Sequence, residues 1–204
     1  MTMNVFDFAT IEAVCFDCFG TLLSVVEGPH AYRGLVGQAA NRRAMREEVL
    51  TRFRTFEQHA LATSWTPQDI ARGREALDQE LASITVLDAA PDILERLRGR
   101  GLKIALCSNL ATEFGPAALK KLDFVFDTTV LSYEVGLVKP DAEIFRTVCL
   151  NLNCRPEHVL MVGDSQKADV QGGANAGLIA LQVDRTAPPA RGRISRLNEL
   201  LTLL

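Results

Sequence analysis

Runs of consecutive apolar residues alternate with helix-like segments along most of the chain. The first run, at residues 13–16, is continuous rather than alternating, which is typical of a strand buried on both faces of a sheet. Between the runs, apolar residues recur every three or four positions, as they do on one face of a helix. Repeated units of this kind predict an α/β fold, with a Rossmann-like parallel sheet and helices on both faces.

The same pattern gives approximate bounds for the elements of this fold. We expect strands at residues 12–17, 102–107, 124–126, 159–162 and 178–183. We expect helices at residues 88–99, 112–121, 141–152, 166–176 and 194–204. The last of these is predicted to be an amphipathic helix that closes the fold.

A different pattern fills the stretch between the first strand and residue 86. Strand-like runs are absent there, and a helical stripe is predicted from Met45, Val49, Phe53, Phe56 and Ala60. A second helix is predicted to begin at Thr66, with Pro67 in its first turn. The sequence therefore predicts a core of residues 1–22 and 86–204, interrupted by a small all-helical insert of residues 23–85.

Composition and charge narrow the classes of function. The 204 residues carry 22 Lys and Arg against 25 Asp and Glu, a net charge of −3, so we expect neither nucleic acid nor a membrane as a partner. Five cysteines, without paired metal-binding motifs, indicate reduced core residues. No basic, apolar leader is recognisable, so we expect a cytoplasmic protein, and its oligomeric state is not indicated.

Polar side chains follow several of the predicted strands at the point where each strand ends. Asp17 follows the first, Ser108 and Asn109 follow the second, and Asp164 follows the strand at 159–162. Any one of them could simply close a turn. Because the carboxyl ends of parallel strands meet at one edge of the sheet, their convergence favours a functional site.

With these motifs and their order, the chain resembles the haloacid dehalogenase (HAD) superfamily of aspartate-nucleophile hydrolases, with a helical cap inserted after the first motif. The family's first motif, DxDxT, is matched by Asp17 and Thr21, with Gly20 between them, whereas Phe19 departs from it. The later motifs are matched by Ser108, by Lys139-Pro140, and by Gly163-Asp164 with Asp169. The resemblance implies that residues 23–85 form the cap.

The resemblance also implies roles for these residues. Asp17 would be the nucleophile that forms a covalent ester or acyl phosphate. Mg²⁺ would be held by Asp17, Asp164 and the main-chain carbonyl of Phe19. Lys139 would add positive charge beside Asp17, and Ser108 would donate a hydrogen bond to the transferring group.

The remaining family positions would support this centre. Asp169 would orient Lys139 or a metal-bound water from behind. Thr21 would brace the nucleophile loop, and Thr21 and Asn109 are candidate substrate-binding residues. An arginine-rich cap would suit a small anionic substrate.

Phe19 leaves three interpretations open. A Mg²⁺-dependent phosphatase of a small phosphorylated metabolite is favoured, although Phe19 cannot protonate a leaving group as the family's Asp does. A 2-haloacid dehalogenase is the second, because those members carry an aromatic residue at this position and halide leaves without a proton. Against it, Asp164 would face Asp17 without a cation. The third is a non-catalytic binding protein that keeps the metal site.

Overall fold

The computed structural model describes residues 8–25 and 30–204. Within these residues, one sheet contains six strands in the order β5-β4-β1-β6-β7-β8, and every neighbouring pair is parallel. The strands are β1 (Ala13–Phe16), β4 (Lys103–Ser108), β5 (Thr128–Leu131), β6 (Val159–Gly163), β7 (Ile179–Val183) and β8 (Arg193–Ile194). The predicted Rossmann-like parallel sheet is confirmed.

Helices surround this sheet. They also fill most of the chain between β1 and β4, the first two strands of the sheet in sequence order. The α-helices are α1 (Ala31–Gln38), α2 (Arg42–Thr51), α3 (Phe56–Ala60), α4 (Pro67–Ala82), α5 (Ala90–Arg98), α6 (Phe114–Leu122), α7 (Ser132–Val135), α8 (Ala142–Leu152), α9 (Gly172–Asn175) and α10 (Leu200–Leu203). A π-helical segment, Gln166–Gln171, precedes α9. The helix predicted at 166–176 is therefore present, with two different geometries.

The continuous apolar runs contribute side chains to two separate hydrophobic clusters, one on each face of the sheet. In β1, Val14 and Phe16 belong to one cluster, and Ala13 and Cys15 belong to the other, because successive side chains of a strand point to opposite faces. Helix α5 packs into the first cluster, and α8 packs into the second. Helices therefore cover both faces, as predicted.

A helical segment, defined here as residues 31–82, lies between two short strands. These strands, β2 (Leu23–Ser24) and β3 (Thr85–Val86), pair in an antiparallel ribbon. The insert is predicted to be all-helical, but its two ends are strands. Each strand has only two residues, too few to show a strand periodicity in the sequence. The start predicted for α4 is confirmed, since Thr66 caps it with Pro67 in the first turn. Residues 1–7 and 26–29 of the predicted core and insert lie outside the described residues.

The helix predicted through Met45 and Ala60 is interrupted. Helix α2 ends at Thr51, and Phe53, predicted to face inward, is 71% exposed. The main-chain nitrogen of Arg54 donates to Thr112 Oγ1, and Thr55 caps α3. A contact with a distant part of the chain therefore competes with the local helical pattern.

Two other predicted elements are wrong. Residues 124–126 are not a strand, because bonding to β4 starts only at Asp127, whose main-chain nitrogen donates to Ile104 O at 2.8 Å, and β5 begins at Thr128. The rings of Phe124 and Phe126 pack on each other, with centroids 4.9 Å apart. Residues 194–204 do not form one helix. They begin with β8, continue through a 3₁₀ turn at Leu197–Glu199, and end in the short α10.

The cysteines are free thiols, and Cys15, Cys18, Cys107 and Cys149 are buried. Burial raises the pKa of the Cys18 thiol well above its ordinary value, and the nearby Asp17 adds to this effect. No helix within the described residues is both long and apolar enough to cross a bilayer.

Phe145 offers a test of the packing between α8 and the sheet. Its side chain is fully buried, whereas Leu150 on the same helix is 79% exposed. We expect Phe145→Ala to lower the free energy of unfolding by about 3 to 5 kcal/mol, because the truncation leaves a cavity. Leu150→Ala, the matched control, should change it by less than about 0.5 kcal/mol. Urea unfolding measures both; equal effects would contradict this packing.

Candidate active site

Asp17 is buried at the carboxyl end of β1. The strand places it between β4 and β6, and its main-chain nitrogen donates to Val162 O at 2.9 Å. Its carboxylate accepts a hydrogen bond at Oδ1 from Ser108 Oγ at 2.9 Å. The ends of two neighbouring strands therefore bring a carboxylate and a hydroxyl into contact.

Lys139 provides a buried positive charge at the same place. Its Nζ donates to Asp17 Oδ1 at 2.6 Å, to Asp169 Oδ1 at 2.6 Å and to Cys107 O at 2.8 Å. Burial alone would lower the pKa of this ammonium, but the carboxylates of Asp17 and Asp169 outweigh that effect and raise it. The side chain is therefore charged throughout the physiological range.

Asn109 holds the backbone that carries this lysine. Its Nδ2 donates to Lys139 O at 2.9 Å, and its Oδ1 accepts from Lys139 N at 2.8 Å. The amide thus replaces the two hydrogen bonds that a neighbouring strand would make. Asn109 links the end of β4 to the segment before α8, and its binding of substrate stays a prediction.

Three carboxylates meet beside this lysine. Oxygen atoms of Asp17, Asp164 and Asp169 lie within 4.8 Å of one another, and Asp164 is the exposed member of the group. Partial burial and the charge of Asp17 raise the pKa of Asp164. Burial, followed by the charge of Asp17, raises the pKa of Asp169 to about 6 despite its contact with Lys139. The cluster therefore has more negative charge than one ammonium balances.

Two glycines create room for these acids. A Cβ added to Gly20, whose φ is 84°, would lie 2.3 Å from Asp164 Oδ2. A Cβ added to Gly163 would lie 2.3 Å from Asp169 Oδ2, which accepts a hydrogen bond from the main-chain nitrogen of Ser165 at 3.0 Å. The backbone therefore approaches both carboxyl groups more closely than any other residue would allow.

Phe19 and Thr21 occupy the loop that follows Asp17. The Phe19 ring packs edge-on against Phe114 of α6, with centroids 5.6 Å apart. Thr21 is fully buried, and among the described residues its hydroxyl has no hydrogen-bond partner. A bracing hydrogen bond from Thr21 is therefore not seen in the described part of the chain, and its role stays a prediction.

The helical segment is attached to the core beside this loop through Glu113. Tyr32 Oη donates to Glu113 Oε2 at 2.5 Å, and the main-chain nitrogen of Phe56 donates to Glu113 Oε1 at 2.6 Å. Arg74 Nη2 adds a contact of 3.3 Å to the same carboxylate. Burial, and then the bond to Glu113, raise the pKa of the Tyr32 hydroxyl. Sequence reasoning did not identify Glu113.

The sequence of this chain matches a known protein family. The model of a family described as haloacid dehalogenase-like hydrolase matches residues 11–177, a range that includes Asp17, Ser108, Lys139, Asp164 and Asp169. The chain belongs to the haloacid dehalogenase-like hydrolases. The predicted superfamily is thereby confirmed, as is the prediction of a hydrolytic enzyme.

Relatives of this HAD-like hydrolase include both dehalogenases and phosphatases. It is 29% identical to (S)-2-haloacid dehalogenase 4A of Burkholderia cepacia, over 96% of this chain and 95% of that protein. It is 31% identical to phosphoserine phosphatase of Thermus thermophilus, over 68% of this chain and 56% of that one. A solved HAD phosphatase from Thermococcus onnurineus shares the fold, with a TM-score of 0.65, 23% identity, and coverage of 95% of this chain and 97% of that one.

Replacing Lys139 tests the charge balance of the cluster. We expect Lys139→Met to destabilise the fold by about 3 to 5 kcal/mol at pH 7, because two buried carboxylates lose their shared cation. The loss should be smaller at pH 5, where one carboxyl can take up a proton. Urea unfolding at the two pH values measures this.

A double variant provides the control. Lys139→Met combined with Asp169→Asn removes one negative charge with the positive one, so we expect it to recover part of the lost stability. A single variant as stable as the wild type at pH 7 would contradict the proposed charge balance.

Proposed function

We propose that this HAD-like hydrolase is a Mg²⁺-dependent phosphatase that acts on a small phosphorylated metabolite through an aspartyl-phosphate on Asp17. The observation that carries the proposal is the position of Asp164, whose carboxylate lies beside Asp17 and Asp169. Lys139 is already bonded to two of these three acids. A divalent cation would supply the positive charge that the cluster lacks.

The residues present fit Mg²⁺. Carboxylate and carbonyl oxygens are the ligands that this ion prefers, and Asp17, Asp164 and the carbonyl of Phe19 would hold it. Gly20 gives Asp164 the space to approach the nucleophile loop. Asp169 is engaged by Lys139 and Ser165, so it would support the site from behind. When bound, the ion would offset the repulsion between Asp17 and a phosphate dianion.

The chain's own residues would carry the two chemical steps. An oxygen of Asp17 forms a bond to phosphorus while the bond from phosphorus to the leaving oxygen breaks, and the leaving alkoxide takes its proton from water. A second water then attacks the same phosphorus, gives up a proton, and releases inorganic phosphate and Asp17 as a carboxylate. Lys139 and Ser108, which contact Asp17 from one side, are placed to neutralise charge on the transferring oxygens.

The helical segment would act as a cap and exclude water from this reaction. Tyr32 and Phe56 of the segment bond to Glu113, beside Phe114, whose ring contacts Phe19. Closing this segment over Asp17 would strengthen the electrostatic interactions of the site. We therefore assign residues 23–85 to a cap and residues 1–22 with 86–204 to the catalytic core.

A 2-haloacid dehalogenase is the second candidate, and Phe19 favours it. An aromatic residue at this position removes the usual acid, and halide is so weak a base that it leaves without a proton. The relative from Burkholderia cepacia, a dehalogenase by its name, is similar over nearly the whole chain. In this reaction Asp17 would form an ester to carbon while the carbon–halogen bond breaks, and water would hydrolyse the ester.

Phosphatase activity can be tested with an activated aryl phosphate. We expect turnover with Mg²⁺, and its loss when a chelator is added or when Asp17→Asn removes the nucleophile. Asp92→Asn changes an exposed acid on α5 and serves as the matched control, with unchanged turnover. Release of the aryl alcohol measures all four conditions.

Halide release separates the two candidates. If a short 2-haloacid yields halide in the presence of chelator, and Asp17→Asn abolishes the release, the dehalogenase is correct and the phosphatase proposal is wrong. Aryl phosphate hydrolysis that persists in both the chelator and Asp17→Asn would contradict the assignment of Asp17.

Restoring the missing acid gives a further test. We expect Phe19→Asp to raise turnover of an alkyl phosphate by about 10² to 10⁴, because a carboxylic acid can protonate the leaving alkoxide. Phe19→Asn has nearly the same shape but no acid, and should give no such rise. If turnover rises equally in the two variants, loss of the Phe19 ring is responsible for the increase, and not the added acid.

A further inference from the structure

Arg185 makes a set of contacts that the proposed chemistry does not use. It follows β7, at the same edge of the sheet as Asp17. Its Nη1 donates to Gly20 O at 2.6 Å, and its Nη2 donates to Thr21 O at 2.8 Å. These carbonyls belong to the loop that directly follows Asp17 and Phe19. One guanidinium thus holds the main chain of the nucleophile loop at two successive peptides.

Asp88 fixes the orientation of this guanidinium. Its Oδ2 accepts from Arg185 Nε at 3.1 Å and from Nη2 at 2.8 Å, and its side chain is 8% exposed. The same oxygen accepts from Leu197 N at 3.2 Å. Asp88 and Ala89 have φ values of 50° and 53°, a left-handed geometry that is costly for residues other than glycine. The chain thus adopts an unfavourable backbone where the carboxylate meets Arg185.

Arg185 holds two carbonyls of the loop that lies between Phe19 and β2. Gly20 N donates to Leu23 O at 2.7 Å, and the main-chain nitrogens of Leu22 and Leu23 donate to Cys18 O at 2.8 and 3.0 Å. These bonds close the loop on itself, and Leu22 O accepts from Leu87 N at 2.9 Å, which ties the far end of the loop to the segment after β3. Arg185 ties it to β7 and, through Asp88, to the segment after β3. Because Gly20 lies directly against Asp164, any movement of the loop would change the spacing of the carboxylates.

We propose that Arg185, oriented by Asp88, is a positioning residue that fixes the nucleophile loop for reaction at Asp17. The proposal rests on the proposed hydrolysis through Asp17, in its phosphatase or its dehalogenase form. A misplacement of about 1 Å costs an enzyme on the order of 10² in rate. Lysine cannot replace the planar fork, since it offers one compact charge to two carbonyls and a carboxylate.

Arg185→Lys tests this role by two readouts. We expect kcat to fall by about 10- to 100-fold while KM stays within about threefold, because the loop and not substrate binding is disturbed. We also expect amide hydrogen exchange at Gly20, Leu22 and Leu23 to accelerate at least tenfold. The exchange measurement needs no substrate.

Arg193→Lys is the matched control. Arg193 donates from Nη2 to Pro188 O at 3.1 Å, away from the nucleophile loop, and its replacement should leave both readouts unchanged. Asp88→Asn is the second variant. It keeps the shape but weakens the hold on Arg185, so it should shift both readouts in the same direction by a smaller factor, and it tests the proposal even if Arg185→Lys does not fold.

The outcomes separate this proposal from the proposed function. Unchanged kcat, or a change in KM alone, in folded Arg185→Lys would overturn the positioning role, as would exchange at wild-type rates. A wild-type chain without turnover in either assay would refute the proposed function instead. The exchange rates of Gly20, Leu22 and Leu23 would then decide whether Arg185 holds the loop.

Discussion

The contact of Lys139 with Asp17 and Asp169 constrains the rest of the site. A buried ammonium is tolerated only when charged partners replace its lost water, and here two carboxylates at 2.6 Å and the carbonyl of Cys107 do so. These partners come from the residue after β1, from β4 and from the π-helical segment before α9. The strands and the segment must therefore keep their register for the charge to remain compensated.

The same contact explains why small residues surround the acids. Bringing carboxylates around one lysine requires the backbone to come close to them, and a side chain at Gly20 or Gly163 would occupy the same space as Asp164 or Asp169. A glycine at each position is a consequence of the charge cluster as much as of turn geometry. Motif residues that are far apart in the sequence thus belong to one cluster of charges in the structure.

Sequence reasoning succeeded where a single pattern decides the structure. The central strands were predictable because burial on both faces leaves only apolar residues, and the strand-end polar residues were predictable because parallel strands share a direction. It failed where contacts between residues far apart in the sequence determine the local structure. Thr112 interrupts the helical stripe at Arg54, and Glu113 binds Tyr32 across 81 positions. Arg185 was overlooked although it follows a strand, like Asp17, because its partners are main-chain carbonyls without a sequence signal.

Asp164 links the protonation of the site to its chemistry. Burial and the charge of Asp17 raise the pKa of Asp164, and they also raise the pKa of Asp169 although it is bonded to Lys139, so the cluster without a cation favours uptake of a proton. With Mg²⁺ it must be ionised, because a ligand to a hard cation is a carboxylate. Phosphoryl transfer needs the ionised form, and halide displacement is compatible with the protonated form. Phe19, which supplies a carbonyl but no acid, suits either state, so the protonation of Asp164 separates the proposed phosphatase from the proposed dehalogenase.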